Sequence, residues 1–167
     1  EEILVLCFSR AAVEVIQNRL KEAFEQGRIG MNWHLIDIRT FDSFATHLLA
    51  YVSINDPCLL RSNFRLDKLD YDERIRTATE VLIKDKKLIE QCSHLIVDEV
   101  QDLVSVRAKF VMQIIASLPG TSGYTLLGDA CQSIYDYQIL NNDIDSSGFY
   151  KWIFEKNSKS EFWKFSV

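Results

Sequence analysis

The stretch His94-Leu-Ile-Val-Asp-Glu-Val-Gln-Asp102 places a short apolar run directly before a group of acids. Such a run, when it stops abruptly, is typical of a strand that is buried on both faces of a parallel sheet. Asp98 and Glu99 therefore follow the predicted strand at its carboxyl end, where open parallel sheets bind their ligands. Asp102 has two interpretations, because it fits both a further acid of the site and the N-cap of a helix beginning at Leu103.

The same pattern returns about thirty residues later, where residues 124–127 form a second such strand that ends at Gly128 and Asp129. The carboxyl ends of parallel strands meet at one edge of a sheet, so we expect Asp129 to lie near Asp98 and Glu99. Two adjacent carboxylates at a buried strand end are unfavourable unless a cation or hydrogen-bond donors compensate. Magnesium would do so, with one carboxylate anchoring the metal and its neighbour taking a proton from an attacking water.

Two further strands and four helices are predicted from hydrophobic periodicity and capping residues. The strands cover residues 3–8 and 33–38, and the helices cover residues 9–27, 40–51, 71–91 and 103–118. Residues 52–70 are expected to form loops and short helical pieces. Strands that alternate with helices predict an α/β fold, in which helices cover both faces of a parallel sheet.

Composition excludes several classes of protein. Among the 167 residues, 47% are apolar and the net charge is -5, so any polyanion must be held by a local patch rather than by overall charge. No apolar run reaches the ~18 to 20 residues that cross a bilayer, and the first residues lack the basic start of a signal peptide. We therefore expect an intracellular protein, cytoplasmic or nucleoid-associated, with no membrane partner. The four cysteines include no C-x-x-C pair, which disfavours a zinc ribbon.

Four segments resemble motifs of the UvrD/Rep-like superfamily I DNA helicases. Residues 94–102 resemble the Walker B motif, and Gly128-Asp-Ala-Cys-Gln-Ser-Ile-Tyr135 resembles motif III. Residues 3–12 resemble motif Ia, and Thr40-Phe-Asp-Ser-Phe44 resembles motif Ib. The resemblance implies a RecA-like P-loop NTPase fold over residues 1–137, with a short helical insert at about residues 45–91. Residues 138–167 would then be a loop and a basic, aromatic tail leading towards a second motor domain.

The resemblance also implies a role for individual residues. Asp98 would hold Mg²⁺, Glu99 would be the general base that activates water against the γ-phosphate of ATP, and Asp129 would lie on the nucleotide side. Gln101 and Gln132 would sense the γ-phosphate and couple it to motion. Single-stranded DNA would run along a track formed by Phe8, Ser9, Thr40, Phe41, Ser43, Phe44, Tyr135 and Tyr137. From the residues alone, core packing is the alternative for Phe8 and Phe44.

The chain also departs from the family pattern. It contains no G-x-x-x-x-G-K-[ST] phosphate loop, the Walker A motif, and no second motor domain, so both are expected in a parent protein and the isolated chain is expected to be inactive. Asp42, Arg10 and Gln138 stand where the family usually has His, Asn and Arg. Two alternatives stay open: a non-catalytic module that binds DNA or a protein partner, and an unrelated magnesium-dependent phosphohydrolase using Asp98, Glu99 and Asp129.

Overall fold

A computed structural model describes residues 2–28, 35–129 and 144–156. Within these ranges the chain forms four strands and five α-helices. The strands are β1 (Glu2–Cys7), β2 (Ile36–Thr40), β3 (Cys92–Val97) and β4 (Gly123–Leu126). The helices are α1 (Arg10–Glu25), α2 (Phe41–Asn55), α3 (Tyr71–Lys84), α4 (Ser105–Ser117) and α5 (Ser146–Lys156). Short 3-10 turns lie at Pro57–Leu59, Leu66–Lys68, Lys86–Ile89 and Val100–Asp102.

All four strands run parallel in one sheet, in the order β2-β1-β3-β4. In register, Cys7 lies opposite Thr40, and Val97 lies opposite both Leu6 and Leu126. The four strands therefore end at the same edge of the sheet. The predicted α/β fold with a parallel sheet is confirmed, and the segments that follow the four strands all start from that edge.

The main core lies on the sheet face that is covered by α2, α3 and α4. From the sheet it takes the alternate residues of β1 and β3 that point to this side, which are Leu4, Leu6, Leu95 and Val97. From α3 it takes Ile75, Ala78 and Leu82. The predicted insert, residues 45–91, thus contributes a large part of this core and does not form a separate unit.

The opposite face carries a smaller cluster beneath α1. Val5, Cys7 and Ile38 are buried there, and partly buried residues of α1 such as Val13 and Ile16 pack against them. No residue of α1 itself is buried. The two faces of the sheet are therefore covered very unequally.

The starts of α1, α2 and α3 are capped by polar side chains. The Ser9 hydroxyl accepts a hydrogen bond from the Ala12 N–H at 3.1 Å, and the Thr40 hydroxyl accepts one from the Ser43 N–H at 3.2 Å. Asp70 and Glu73 form a reciprocal capping box at the start of α3. Gly27 follows α1 with a φ of 64°, in the left-handed region that favours glycine at helix ends.

Some predicted boundaries are wrong, and one helix has no counterpart among the sequence predictions. The N-cap of α4 is Val104, and Asp102 lies in a 3-10 turn, so Asp102 does not cap that helix. Helix α3 ends at Lys84, and a 3-10 turn takes the place of its predicted last turns. Helix α5 lies in the region predicted as loop and tail, yet its Phe149 and Ile153 are buried in the main core.

In the described ranges, no helix combines the length and the apolar character that crossing a bilayer requires.

Candidate functional site

Asp98 and Glu99 leave the end of β3 at the carboxyl edge of the sheet. The Asp98 N–H donates to the Leu6 carbonyl at 3.0 Å, which continues the pairing with β1 by one residue. The Glu99 N–H then donates to Asp98 Oδ1 at 3.0 Å. Glu99 adopts a left-handed backbone with φ 55° and ψ 44°, a conformation that non-glycine residues rarely take and that recurs at functional sites. This sharp corner leaves Glu99 exposed and Asp98 partly buried.

Burial affects the acid groups around this corner. Desolvation raises the pKa of Asp98 above its ordinary value, and the charge of Glu99 raises it further, against the opposing hydrogen bond from the Glu99 backbone. The neighbouring Cys7 thiol is fully buried, and desolvation together with the charge of Asp98 raises its pKa to about 11. Burial is the main cause of both shifts.

Gln101 connects the end of β3 with the end of β4. Its side chain is only 2% exposed. Its amide Nε2 donates to Glu99 Oε2, and its Oε1 accepts a hydrogen bond from the Asp129 backbone N–H at 3.1 Å. The Val100 N–H also donates to the Leu127 carbonyl at 2.9 Å. Asp98, Glu99, Gln101 and Asp129 therefore lie around one corner of the sheet edge.

Gly128 is required by this arrangement. A Cβ atom at position 128 would lie 2.6 Å from Gln101 Oε1 and 2.7 Å from Val100 Cγ2, both well inside van der Waals contact. The glycine thus lets the end of β4 pass close to the Gln101 amide, and any larger residue would displace one of them.

The residues at the corner fit a magnesium ion. Mg²⁺ prefers oxygen ligands and is commonly held by one or two carboxylates together with water and substrate phosphates. Asp98 supplies one such carboxylate at the end of β3, and the exposed Glu99 follows it directly in the chain. Among the described residues, no group of three or more His, Cys, Asp or Glu side chains converges on one point. A shared site with phosphate and water matches this donor set better than an all-protein metal cage.

The residues expected along the DNA track divide into buried and exposed ones. The rings of Phe41 and Phe44 are 1% and 7% exposed, and both belong to the main core. Phe44 packs against Phe110, with ring centroids 5.9 Å apart. Phe8 is partly buried, with its ring edge-to-face against Phe41 at 5.0 Å. The core-packing alternative thus describes Phe44, and in this structure the two buried rings are not available for base stacking.

The polar residues of the same segment lie at two helix starts. Ser9 and Ser43 are exposed, whereas Thr40 is buried and serves as the N-cap of α2. Both helices begin at the carboxyl edge of the sheet, where Asp98 also lies. Backbone N–H groups at helix starts favour anions, so this part of the edge is compatible with phosphate groups.

Asp42, which replaces the family's usual histidine, is engaged with Arg107 of α4. Its Oδ1 lies 3.6 Å from Arg107 Nη2, and both side chains are about 30% exposed. Arg107 also lies 3.9 Å from Asp72 of α3. The arginine therefore offsets part of the charge of Asp42. Arg107 was not among the predicted site residues, because a single basic residue in an amphipathic helix gives no signal of its partner.

A second residue near the corner was also missed. Helix α5, which carries Tyr150, contacts the Val100–Asp102 turn. Burial, and then the charge of Asp129, raises the pKa of the Tyr150 hydroxyl. The helix that carries it was predicted as loop and tail, so no signal in the sequence placed Tyr150 at the site.

Other predicted positions lie outside the described residues. They are Gln132, Tyr135, Tyr137 and Gln138.

Comparison with known proteins agrees with these features. Residues 51–144 match the model of the UvrD/REP helicase N-terminal domain, a match that includes Asp98, Glu99, Gln101 and Asp129. A search of curated proteins found no significant match to the chain. Because the match covers more than half of the chain, and because its residues build the acidic corner at the sheet edge, this chain belongs to the UvrD/REP helicase family through its N-terminal motor domain.

Proposed function

We propose that this chain is part of the ATP-binding motor domain of a superfamily I DNA helicase or translocase, which couples ATP hydrolysis to movement on single-stranded DNA. The observation that carries the proposal is the corner at which Asp98, Glu99 and Gln101 meet the Gly128–Asp129 end of β4. Family membership supports a helicase-type ATPase in the parent protein.

The two carboxylates would divide the chemistry of hydrolysis. Asp98 would hold Mg²⁺, which when bound neutralises charge that develops on the phosphate oxygens. Glu99 is exposed, so its carboxylate can reach a water positioned in front of the γ-phosphate and take its proton as the water oxygen attacks. The products are then ADP and inorganic phosphate. Gln132 would respond to the γ-phosphate.

The DNA track would pass over the exposed residues at the carboxyl edge. Ser9 and Ser43 would contact phosphates at the starts of α1 and α2, and Phe8 would contribute the accessible part of its ring. Tyr135 and Tyr137 would stack on bases, which is worth about 1 to 3 kcal/mol per base. Thr40, Phe41 and Phe44 would support the track from beneath, since all three are buried.

Binding of single-stranded DNA by the 167-residue chain tests the DNA part of the proposal. We expect weak binding that falls steeply with salt, because phosphate contacts release counterions. Tyr135→Ala should weaken binding by about 1 to 3 kcal/mol if the ring stacks on a base. Fluorescence anisotropy with a labelled oligonucleotide at low salt measures both effects.

Tyr51→Ala is the matched control. Tyr51 is an exposed tyrosine, 53% accessible, and it lines a cavity with Glu2 and Gln91 at the amino edge of the sheet, opposite the proposed track. This variant should bind DNA as the wild type does. Absence of binding at low salt, or equal effects of the two substitutions, would argue against a track at the carboxyl edge.

A further inference from the structure

The Gln101 side-chain amide is buried between two groups, one that follows β3 and one that follows β4. On one side lies the exposed carboxylate of Glu99, and on the other lies the backbone of Asp129. The amide nitrogen donates to the first group and the amide oxygen accepts from the second. Both polar atoms of the side chain are thus engaged by protein groups, while only 2% of the residue is exposed.

Glutamine is suited to this position by its chemistry. A neutral amide offers a donor and an acceptor at the end of one side chain, whereas a glutamate offers acceptors only and would repel Glu99. A leucine or methionine of similar size would leave the Asp129 N–H and the Glu99 carboxylate without this partner. The buried position therefore depends on the amide group and not only on the volume of the side chain.

The backbone around Gln101 is fixed independently of its side chain. The Val100 N–H donates to the Leu127 carbonyl, and the Leu127 N–H donates to the Val97 carbonyl, both at 2.9 Å. Gly128 leaves the space that Gln101 Oε1 occupies, since a Cβ there would come within 2.6 Å. The main chain thus holds the two strand ends together, and the Gln101 side chain adds a link from that joint to the Glu99 carboxylate.

We propose that Gln101 is a positioning residue, which fixes the Glu99 carboxylate relative to the Gly128–Asp129 end of β4. When that strand end moves, the Gln101 side-chain amide would transmit the movement to the Glu99 carboxylate. Gln101 then acts on the phosphate only through Glu99, and not as a direct sensor. The inference rests on the proposed function in one respect, the role of Glu99 as the general base.

The link can be measured in the 167-residue chain without nucleotide, by ¹⁵N NMR of the Asp129 backbone amide. Glu99→Ala should shift the Asp129 amide resonance in the wild-type background, because the Gln101 amide loses its partner and moves. In a Gln101→Leu background the same Glu99→Ala change should leave the Asp129 resonance in place. Gln101→Leu alone should speed exchange of the Asp129 amide proton by about fivefold, since its acceptor is removed.

Gln113→Leu provides a matched control for the loss of a glutamine. Gln113 lies partly buried in α4, where its Nε2 donates to Ser117 Oγ at 2.9 Å, away from the corner. In the Gln113→Leu background, the response of Asp129 to Glu99→Ala should persist. If Gln101→Leu does not fold, the Gln101 side-chain amide signal in the Glu99→Ala variant gives the same information. The inference is overturned if Glu99→Ala leaves the Asp129 amide resonance unchanged in the wild-type background. It is also overturned if Glu99→Ala shifts that resonance equally in the wild-type and the Gln101→Leu backgrounds.

Kinetics of a parent helicase separate this inference from the proposed function. Gln101→Leu should lower kcat by about tenfold or more, because the base is misplaced, while KM for ATP changes by less than about twofold. A large rise in KM with unchanged kcat would instead indicate direct contact with the phosphate and overturn the positioning role. If Glu99→Gln leaves kcat unchanged, the proposed base fails, whereas the NMR coupling between Glu99 and Asp129 is unaffected by that result.

Discussion

Two neighbouring carboxylates, Asp98 and Glu99, leave the same strand and enter different surroundings. Asp98 is partly buried beside the Cys7 thiol, and its pKa is raised mainly by desolvation. Glu99 turns outward through a left-handed backbone and stays accessible. Enzymes commonly assign different tasks to paired acids through such differences in environment. The proposed separation between a metal ligand, Asp98, and a base, Glu99, would follow from a single backbone turn.

Replacement of the proposed base should abolish turnover while ATP still binds. In a parent helicase, Glu99→Gln should lower the rate of hydrolysis by about 100-fold or more, because the proton acceptor is lost while the size of the side chain is kept. Steady-state ATPase assays and nucleotide-binding titrations measure the two quantities. Glu90→Gln, at an exposed position before β3, is the control and should behave as the wild type. Normal turnover of the Glu99→Gln variant would remove Glu99 from the base role.

Asp98 should lower the stability of the folded chain at neutral pH. Its folded pKa is raised, so folding is favoured while the group is protonated, and this contribution is lost as pH rises through the raised pKa. Asp98→Asn removes the buried charge, so its Tm should exceed that of the wild type at pH 7. The difference should shrink as the pH falls towards the ordinary value of 3.8.

Thermal unfolding between about pH 4 and pH 7 measures this difference, within the range where aspartate titrates when its pKa is raised. Asp67→Asn is the control for removing a carboxylate, because Asp67 is exposed and paired with Arg65 on the surface. A Tm difference for Asp98→Asn that stays constant or grows as the pH falls would contradict the stated direction of the shift.

At the scale of elements, the start of α1 combines a structural role with a proposed binding role. Ser9 caps the helix by accepting from the Ala12 N–H, and the first turn of α1 contains no acidic residue. Ser9→Ala should lower stability by about 1 kcal/mol, the usual effect of losing an N-cap. Ser9→Asp should keep the cap but add a negative charge next to the proposed phosphate path. Urea unfolding and DNA anisotropy together separate the two roles.

The expected result is that Ser9→Asp unfolds like the wild type and binds single-stranded DNA more weakly. Ser9→Ala should lower the stability of the chain and should change its DNA affinity less than Ser9→Asp does. Wild-type DNA affinity in Ser9→Asp would exclude Ser9 from the track.

Strands β1, β3 and β4 and the carboxyl-edge location of the acids could be predicted from the sequence, because each of these strands contains a short apolar run. The predicted strand at residues 33–38 shows the limit of that signal, since β2 is Ile36–Thr40 and takes in polar Asp37 and Arg39. These two side chains pair with each other at 2.7 Å, a contact that periodicity does not reveal. Local side-chain pairs such as Asp37 and Arg39 affect where a strand begins and ends.

The elements that were missed depend on tertiary contacts. Helix α5 has two buried residues four positions apart, Phe149 and Ile153, within a stretch whose many aromatic and basic residues obscure the pattern. The Ser105 N–H donates to the Ile144 carbonyl at 2.8 Å, which ties the start of this segment to α4. The link from Gln101 to Asp129 likewise joins residues far apart in the chain. The sequence indicates which residues carry chemistry but not which backbone group each one contacts.

At the scale of the whole molecule, the 167-residue chain should not hydrolyse ATP. Triphosphate binding in P-loop proteins uses backbone N–H groups of a glycine-rich loop, a lysine and a Ser or Thr, and no G-x-x-x-x-G-K-[ST] pattern occurs among these residues. Asp98 and Glu99 can act only on phosphates that are already held, and electrostatic stabilisation of the transition state is usually the largest catalytic contribution.

Phosphate-release assays with and without single-stranded DNA should therefore stay at background. The control for contaminating ATPases is the Glu99→Gln variant prepared in the same way. Hydrolysis that the wild type shows and this variant loses would mean that another segment of the chain holds the phosphates.

The unequal covering of the sheet has a consequence for how the molecule opens. Because no side chain of α1 is buried, we expect this helix to open more readily than the main core beneath α2, α3 and α4. Elements with few buried contacts open in local fluctuations at free energies below that of global unfolding. Phe8 and Ser9 precede this helix directly, so a strand of DNA held there would bind the closed form and suppress its opening by mass action. Binding of DNA to the track should therefore raise the local stability of α1.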